Sequence, residues 1–227
     1  SILDRLYLEV GDLVNYAGAC IGSETFQPTP CLFDGEVFMG GAALALLLRQ
    51  HPGAILAHHY RGSEALCVAT ATTGSRVEAI DGRPAFEVYR HLMAREYGID
   101  LDLESFYRYA VHFPFALNRA QGESLVRIPV KAEENGSVYC VGEVPENALL
   151  SVVRAVMPGN LAAAREVGAS VRAVSASGAL AFYCAGRWLH LDEAAATAEL
   201  AALAGELVPA PLVGALYLGE ISSGYGQ

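Results

Sequence analysis

Two apolar segments near the carboxyl end of the chain each carry a tyrosine, a glycine and a charged residue. They are Ala181-Phe-Tyr-Cys-Ala-Gly-Arg187 and Ala215-Leu-Tyr-Leu-Gly-Glu-Ile221. Both are typical of strands, and a predicted helix lies between them, so we expect their polar ends to line a common cleft. Arg187 would hold a ligand carboxylate through its planar fork, and Glu220 would hold a ligand ammonium. Tyr183 and Tyr217, in matching positions of the two strands, would supply aromatic walls.

The same four residues also have structural interpretations. A guanidinium at the end of an apolar strand is costly to bury without a carboxylate. Arg187 is therefore either paired with a residue such as Glu220 or available to a ligand, and Glu220 either satisfies Arg187 or binds an amine. For Tyr183 and Tyr217 the alternative is packing in the core.

Nucleophilic and metal chemistry have weaker candidates. Cys184 and His190 are the only neighbouring thiol and imidazole, and a nucleophile would need that imidazole within hydrogen-bond distance. A buried structural thiol is the alternative interpretation of Cys184. The six histidines lack the spacing of a metalloenzyme, so we expect no dedicated zinc site.

The composition excludes several classes of function. The chain has 227 residues, of which 53% are hydrophobic, and a formal net charge of -10 with scattered basic residues, so nucleic acid is not an expected partner. The longest apolar run, at residues 40–48, is far shorter than the ~20 residues of a membrane span. Five cysteines without a CxxC pair indicate a reducing, cytoplasmic compartment.

Turn residues and periodicity predict the elements that position these side chains. Strands are expected on both sides of the Asp34-Gly35 turn, and further strands at residues 42–48, 54–59, 65–72 and 75–80. Pro84 should open a helix with a stripe of Val88, Tyr89 and Leu92. An alternating pattern predicts a strand from Tyr107 to Phe113.

The carboxyl-terminal half is expected to continue with strands and helices. Strands are predicted at residues 125–130, with Pro129 at a sheet edge, and at residues 137–141. An Ala-rich helix should run to Val171, and a second helix, from Glu193 to Ala204, should be capped by Asp192. The final strand should cover residues 212–221. A domain boundary is predicted in the turn-rich stretch 113–124.

Three segments together carry a family resemblance. They are Val77-Glu-Ala-Ile-Asp-Gly-Arg-Pro-Ala-Phe-Glu-Val-Tyr89, Leu180-Ala-Phe-Tyr-Cys-Ala-Gly-Arg187 and Leu212-Val-Gly-Ala-Leu-Tyr-Leu-Gly-Glu-Ile221. In this order, with residues 18–39 similar to the region upstream, they resemble the FIST sensory domain of bacterial sensor proteins and some eukaryotic F-box proteins. Typical members begin with further strands and continue past Gly-Glu-Ile to a His-Asn pair, so the chain is expected to be a fragment.

The resemblance implies both a fold and a function. The fold is α+β, with mixed, mostly antiparallel sheets, packed helices and two joined regions: residues 1–118 as a partial FIST N-terminal region and 119–227 as a partial FIST C-terminal region. The function is that of a non-enzymatic, cytoplasmic, bacterial signal-transduction sensor. Its small ligand would be an amino acid-like metabolite, and its output partner a protein such as a histidine kinase or a diguanylate cyclase.

Haem with nitric-oxide sensing is the second ligand class, since some FIST-like proteins are associated with it. His58 or His59 would then be the axial ligand. These neighbours alternate sides at a strand end, so only one enters a given pocket, and ordinary hydrogen bonding or solvation is the structural alternative. Two other functions stay open: a Cys184-dependent hydrolase or transferase, and a protein-interaction scaffold of the F-box adaptor kind.

Overall fold

A computed structural model describes residues 2–23, 29–49, 54–58, 60–119, 124–155 and 161–222. In these ranges the helices are α1 Ile2–Val10, α2 Ala85–Tyr97, α3 Phe106–Ala110, α4 Ala162–Ala173, α5 Ala185–Leu191 and α6 Glu193–Leu207, with a 3-10 turn at Gly11–Leu13. The strands are β1 Ala17–Cys20, β2 Leu32–Phe33, β3 Phe38–Met39, β4 Arg61–Gly62, β5 Cys67–Thr73, β6 Arg76–Ile80, β7 Arg83–Pro84, β8 Phe115–Asn118, β9 Leu125–Arg127, β10 Pro129–Ala132, β11 Val138–Cys140, β12 Leu149–Arg154, β13 Ala179–Cys184, β14 Leu212–Tyr217 and β15 Gly219–Ser222.

The predicted α+β class is confirmed. Every described strand pair is antiparallel except β13 with β14. The chain divides into two compact units: residues 1–57 with 161–227 form the first, and residues 58–160 form the second. The predicted boundary between residues 118 and 119 lies inside the second unit.

The second unit is built on a single nine-stranded sheet. Its main strand order is β10-β11-β6-β5-β12-β8-β9, with β4 added to β12 and β7 added to β6. β9 and β10 stand at opposite ends of this order, yet only Ile128 separates them along the chain. The sheet must therefore curl until its ends approach each other, as in a nearly closed barrel. Pro129, in β10, lies at an end of the order as predicted.

Three aromatic rings form the centre of the second unit. Tyr89 meets the edges of Phe106 and Phe115 at centroid distances of 5.6 and 5.2 Å, and its hydroxyl donates to the Phe113 carbonyl at 2.8 Å. Edge-to-face pairs of this kind stabilise a core beyond their buried area. Tyr89 comes from α2, whose predicted apolar stripe is buried as expected.

The predicted strand from Tyr107 to Phe113 is wrong, since α3 occupies residues 106–110. The segment carries a second pattern, because Phe106, Ala110 and Phe113 recur at helical spacing and all three are buried. Tyr107, which fits only the alternating pattern, is 58% exposed. Burial of the helical set therefore decides the conformation.

Two further predicted strands are also absent from the described residues. Residues 42–48 have no regular secondary structure, and their leucines are exposed. Residues 54–58 are likewise irregular but partly buried, and His59 lies outside the described residues. A strand needs a partner for its backbone groups, and no strand in the described ranges pairs with either segment.

In the described ranges, the first unit contains three small sheets and four helices. β1 pairs with β15, β2 with β3 across the predicted Asp34-Gly35 turn, and β13 with β14. The predicted final strand is divided into β14 and β15, because they join different sheets. The Asp192 carboxylate accepts from the Ala195 amide at 2.9 Å, which confirms the predicted cap of α6.

Helices α4 and α6 approach each other at Gly168. A Cβ added there would lie 2.5 Å from the Glu206 Cβ and 3.1 Å from the Leu203 carbonyl oxygen. We expect Gly168→Ala to lower the free energy of unfolding by about 1–3 kcal/mol, because the helices must separate. The measurement is urea unfolding followed by the fluorescence of Trp188, which lies in the same unit.

Gly205→Ala, in α6, is the matched control. Nothing lies within 4 Å of a Cβ added at Gly205. Alanine there should stabilise the helix by about 0.5–1 kcal/mol, since glycine has the poorer helix propensity. Equal stabilisation by both substitutions would contradict the close approach at Gly168.

None of the helices in the described ranges has the length and apolar character needed to cross a bilayer.

Candidate functional site

The four residues of the predicted ligand site lie on four different elements of the first unit. Tyr183 is in β13, Arg187 in α5, Tyr217 in β14 and Glu220 in β15. The expectation that Arg187 ends a strand is wrong, because β13 stops at Cys184. The paired strand β14 ends at Tyr217, which lies opposite Cys184. No strand pairing continues beyond this point, and the chain continues as helix α5.

The register of the parallel pair separates the two tyrosines. Tyr183 is paired with Leu216, and Tyr217 is paired with Cys184. Paired residues of neighbouring strands share a face of the sheet, while successive residues of one strand alternate between faces. Tyr183 and Tyr217 therefore lie on opposite faces, and the prediction that they occupy matching positions is wrong.

On the Tyr183 face, Arg187 forms a bidentate ion pair with Glu199. The Arg187 Nε donates to Glu199 Oε2 at 2.7 Å, and Nη2 donates to Oε1 at 2.5 Å. The Tyr183 hydroxyl also donates to Oε2, at 2.5 Å. The side chains of Arg187 and Glu199 are only 15% and 6% exposed. This buried cluster joins β13, α5 and α6, and the expected partner Glu220 is not part of it.

Sequence reasoning missed Glu199, although the chain carries a signal for it. Glu199 is the only charged residue between Glu193 and Glu206 in a helix that otherwise consists of alanine, leucine, threonine and glycine. It follows the fully buried Ala196 by three positions, so it lies on the buried side of α6. An acid at such a position needs a buried cation, and Arg187 is that cation.

The pKa shifts in this cluster follow from burial and hydrogen bonding. Burial opposes ionisation of Glu199, but the hydrogen bonds from Arg187 and Tyr183 and the guanidinium charge outweigh it and hold its pKa below the ordinary value. Burial, and then the hydrogen bond to Glu199, raise the pKa of Tyr183. At neutral pH the cluster is thus a carboxylate, a guanidinium and a neutral phenol.

The opposite face carries an exposed carboxylate beside Tyr217, whose ring lies against that of Phe182. The buried Tyr217 donates its hydroxyl to Glu220 Oε2 at 3.3 Å. The Phe182 ring stands perpendicular to that of Tyr217, at 87° and 6.3 Å between centroids, and is 39% exposed. Within the described part of the chain, Glu220 has no ion-pair partner. An open anion with an aromatic neighbour is the arrangement that attracts an amine.

Cys184 lies at the start of α5, on the Tyr217 face. Burial is the largest effect on the Cys184 thiol, and it raises the pKa. The negative charge of Glu220 also raises this pKa. Hydrogen bonds from the backbone amides of Arg187 and Gly186, together with the Arg187 charge, lower it but do not cancel the increase. A thiol with a raised pKa is poorly activated for attack. This geometry adds nothing to the Cys184-dependent alternative, which stays a prediction that labelling the native protein with a thiol reagent would test.

His58 belongs to the second unit. Its Nδ1 accepts from the Tyr60 amide at 3.1 Å, so the neutral ring carries its proton on Nε2, which donates to the Ser124 carbonyl at 3.0 Å. Axial ligation of haem by His58 would require one of these two hydrogen bonds to break. His59, the alternative ligand, lies outside the described residues.

Comparison with known families gives two matches. The FIST N domain model matches residues 1–83, and the FIST C domain model matches residues 85–223. The two matches meet at residue 84, within the segment Val77–Tyr89, whereas the predicted regions are 1–118 and 119–227. No curated protein and no solved structure matches the chain.

Proposed function

Because the chain belongs to the FIST family, whose domains are sensory domains of signal transduction, we propose that it binds a small ligand and reports its presence to an output protein. The proposal places it in the cytoplasm, without catalytic activity of its own. Its five cysteines are free, which supports a reducing compartment. Its output partner would be a signalling protein such as a histidine kinase or a diguanylate cyclase.

The ligand of this proposal is an amine-bearing metabolite of the amino acid class. The observation that carries it is the exposed Glu220 carboxylate, which has no ion-pair partner in the described chain and accepts a hydrogen bond from Tyr217. An ammonium group would meet Glu220 through charge-assisted hydrogen bonds, and its carbon chain could contact the exposed part of Phe182, which is on the same face of the sheet. The charge-assisted hydrogen bonds favour the charged amine over a neutral analogue.

Arg187 has a different place in the proposal. Its guanidinium is held by Glu199 on the opposite face of the sheet from Glu220, so it is not the partner of the ligand carboxylate. Arg187 instead holds α5 and α6 together beneath the site. A ligand changes the output only to the extent that it binds one arrangement of the protein more tightly than another.

Substitution of Glu220 tests the site. We expect Glu220→Gln to weaken binding of an amino acid ligand about tenfold, because a charge-assisted hydrogen bond is replaced by a neutral one. Calorimetric titration with the common amino acids and simple amines measures the affinity. Glu193→Gln, an exposed acid on α6, is the control and should leave the affinity unchanged.

Two results would contradict the proposal. One is the absence of heat with every amine and amino acid tested, and the other is unchanged affinity in Glu220→Gln. The absorption spectrum of the freshly isolated protein tests the haem alternative separately. A Soret band that His58→Ala abolishes would favour haem over an amine.

A further inference from the structure

A charged groove lies on the outer side of α2 in the second unit. The inner side of this helix is buried in the core, through Val88, Tyr89, Leu92 and Met93. The groove has a volume of about 430 Å³, within the range of small-molecule sites. It is lined by Arg83, Glu87, Arg90, His91, Ala94 and Asp100.

The backbone fixes the shape of the groove. Ala94 contributes only a methyl group, which leaves room above the helix. Gly98 then ends α2 in the left-handed region, with φ of 67°, and its amide donates to the Ala94 carbonyl at 3.1 Å. The next amide, of Ile99, donates to Met93 at 3.2 Å, so the chain folds back and brings Asp100 to the groove.

The cationic side chains of the groove keep their hydrogen-bond donors unused. Arg83 faces Glu87 at 3.6 Å, which is too long for a hydrogen bond. Within the described residues, Arg90 and His91 make neither an ion pair nor a side-chain hydrogen bond. The N–H groups of two guanidinium side chains and one imidazole are therefore available to donate hydrogen bonds to a ligand. The planar guanidinium matches the geometry of phosphate oxygens.

The two carboxylates of the groove are equally unused as acceptors. Within the described chain, neither Glu87 nor Asp100 accepts a side-chain hydrogen bond from the protein. An inorganic anion would be repelled by them, whereas a ligand that also carries hydroxyl groups can donate to them. A phosphate on a polyol backbone satisfies both kinds of group at once.

We propose that this groove binds a small phosphate ester that carries free hydroxyl groups, such as a sugar phosphate. Arg83, Arg90 and His91 hold the phosphate oxygens, and Asp100 with Glu87 accepts from the hydroxyl groups. The proposal is independent of the amine site at Glu220, which belongs to the other unit.

Calorimetric titration with inorganic phosphate, ribose and ribose 5-phosphate tests the proposal. We expect ribose 5-phosphate to bind at least about tenfold more tightly than either of the other two, because only it uses both sets of groups. Arg90→Gln should weaken binding of ribose 5-phosphate and of inorganic phosphate about tenfold. Asp100→Asn should weaken only ribose 5-phosphate, and Arg95→Gln, on α2 but outside the groove, should change neither.

Several outcomes would overturn this inference. They are no binding of ribose 5-phosphate at millimolar concentration, an affinity that Arg90→Gln leaves unchanged, and tighter binding of inorganic phosphate or ribose than of ribose 5-phosphate. The substituted side chains are exposed. Circular dichroism is the control for folding of each variant. Glu220→Gln should leave ribose 5-phosphate binding intact, so failure of one site is distinguishable from failure of the other.

Discussion

Replacement of Glu199 by alanine is expected to lower the free energy of unfolding of the first unit by about 3–5 kcal/mol. The substitution leaves the Arg187 guanidinium buried without its bidentate partner and removes the acceptor of the Tyr183 hydroxyl. Removal of one member of a buried ion pair lowers the stability by far more than the intact pair contributes to it. The remaining charge stays buried and desolvated, and no ion pair compensates for the lost hydration.

Trp188 provides the measurement for Glu199→Ala. It is the only tryptophan of the chain, and its ring is perpendicular to that of Tyr183 at 6.4 Å between centroids. Its fluorescence during urea unfolding therefore reports on this cluster. Glu193→Ala, on the exposed start of the same helix, should cost much less, and the double variant Arg187→Met with Glu199→Met should recover most of the loss. Similar costs for Glu199→Ala and Glu193→Ala would contradict the buried pair.

The same cluster predicts a dependence of stability on pH. The pKa of Glu199 is lowered in the folded state from its ordinary value of 4.5. Its stabilising contribution is complete above that ordinary value and is lost as the pH falls through the lower folded pKa. We expect the wild-type protein to lose more stability than Glu199→Gln on acidification below about pH 4.5. Parallel loss in both proteins would contradict this assignment.

Substitution of Phe115 by alanine is the second large effect. Phe115 is completely buried beside Tyr89, and its loss leaves a cavity at the centre of the second unit. Truncation of a buried phenylalanine costs about 3–5 kcal/mol, from lost transfer free energy and from the cavity together. We expect a loss of this size in the stability of the second unit.

Near-ultraviolet circular dichroism of the tyrosines measures the unfolding of this unit in Phe115→Ala. Tyr107→Ala removes an aromatic ring that is 58% exposed and should change the stability little. Trp188 lies in the first unit, so its fluorescence separates the two transitions. A Phe115→Ala protein as stable as Tyr107→Ala would contradict the described core.

Local patterns predicted the elements in which a single signal dominates. Pro84 and the stripe of α2 were sufficient for that helix, and Asp192 for the start of α6. The segment 106–113 carries two patterns at once, and only the tertiary burial of Phe106 and Ala110 selects between them. The apolar run at 42–48 was predicted as a strand from its composition alone. It does not form one, because no described strand pairs with it.

The candidate site was predictable as a set of residue types but not as an arrangement. Tyr183 and Tyr217 lie on the two predicted strands, and the structure pairs these strands with each other. A shift of one position in the register, which the sequence does not reveal, moves a side chain to the other face of the sheet. The partner of Arg187 is contributed by helix α6, and only the spacing of Glu199 from the buried Ala196 indicates that this acid lies on the buried side of the helix.

The pairing of β1 with β15 joins residues from nearly opposite ends of the chain. During translation, residues 17–20 therefore remain without their partner strand until residues 219–222 have been synthesised, whereas residues 58–160 are complete earlier. Contacts so distant in sequence slow folding, because a large loop must close before they form. The unit of residues 58–160 can thus fold on the ribosome before β15, the partner of β1, has emerged.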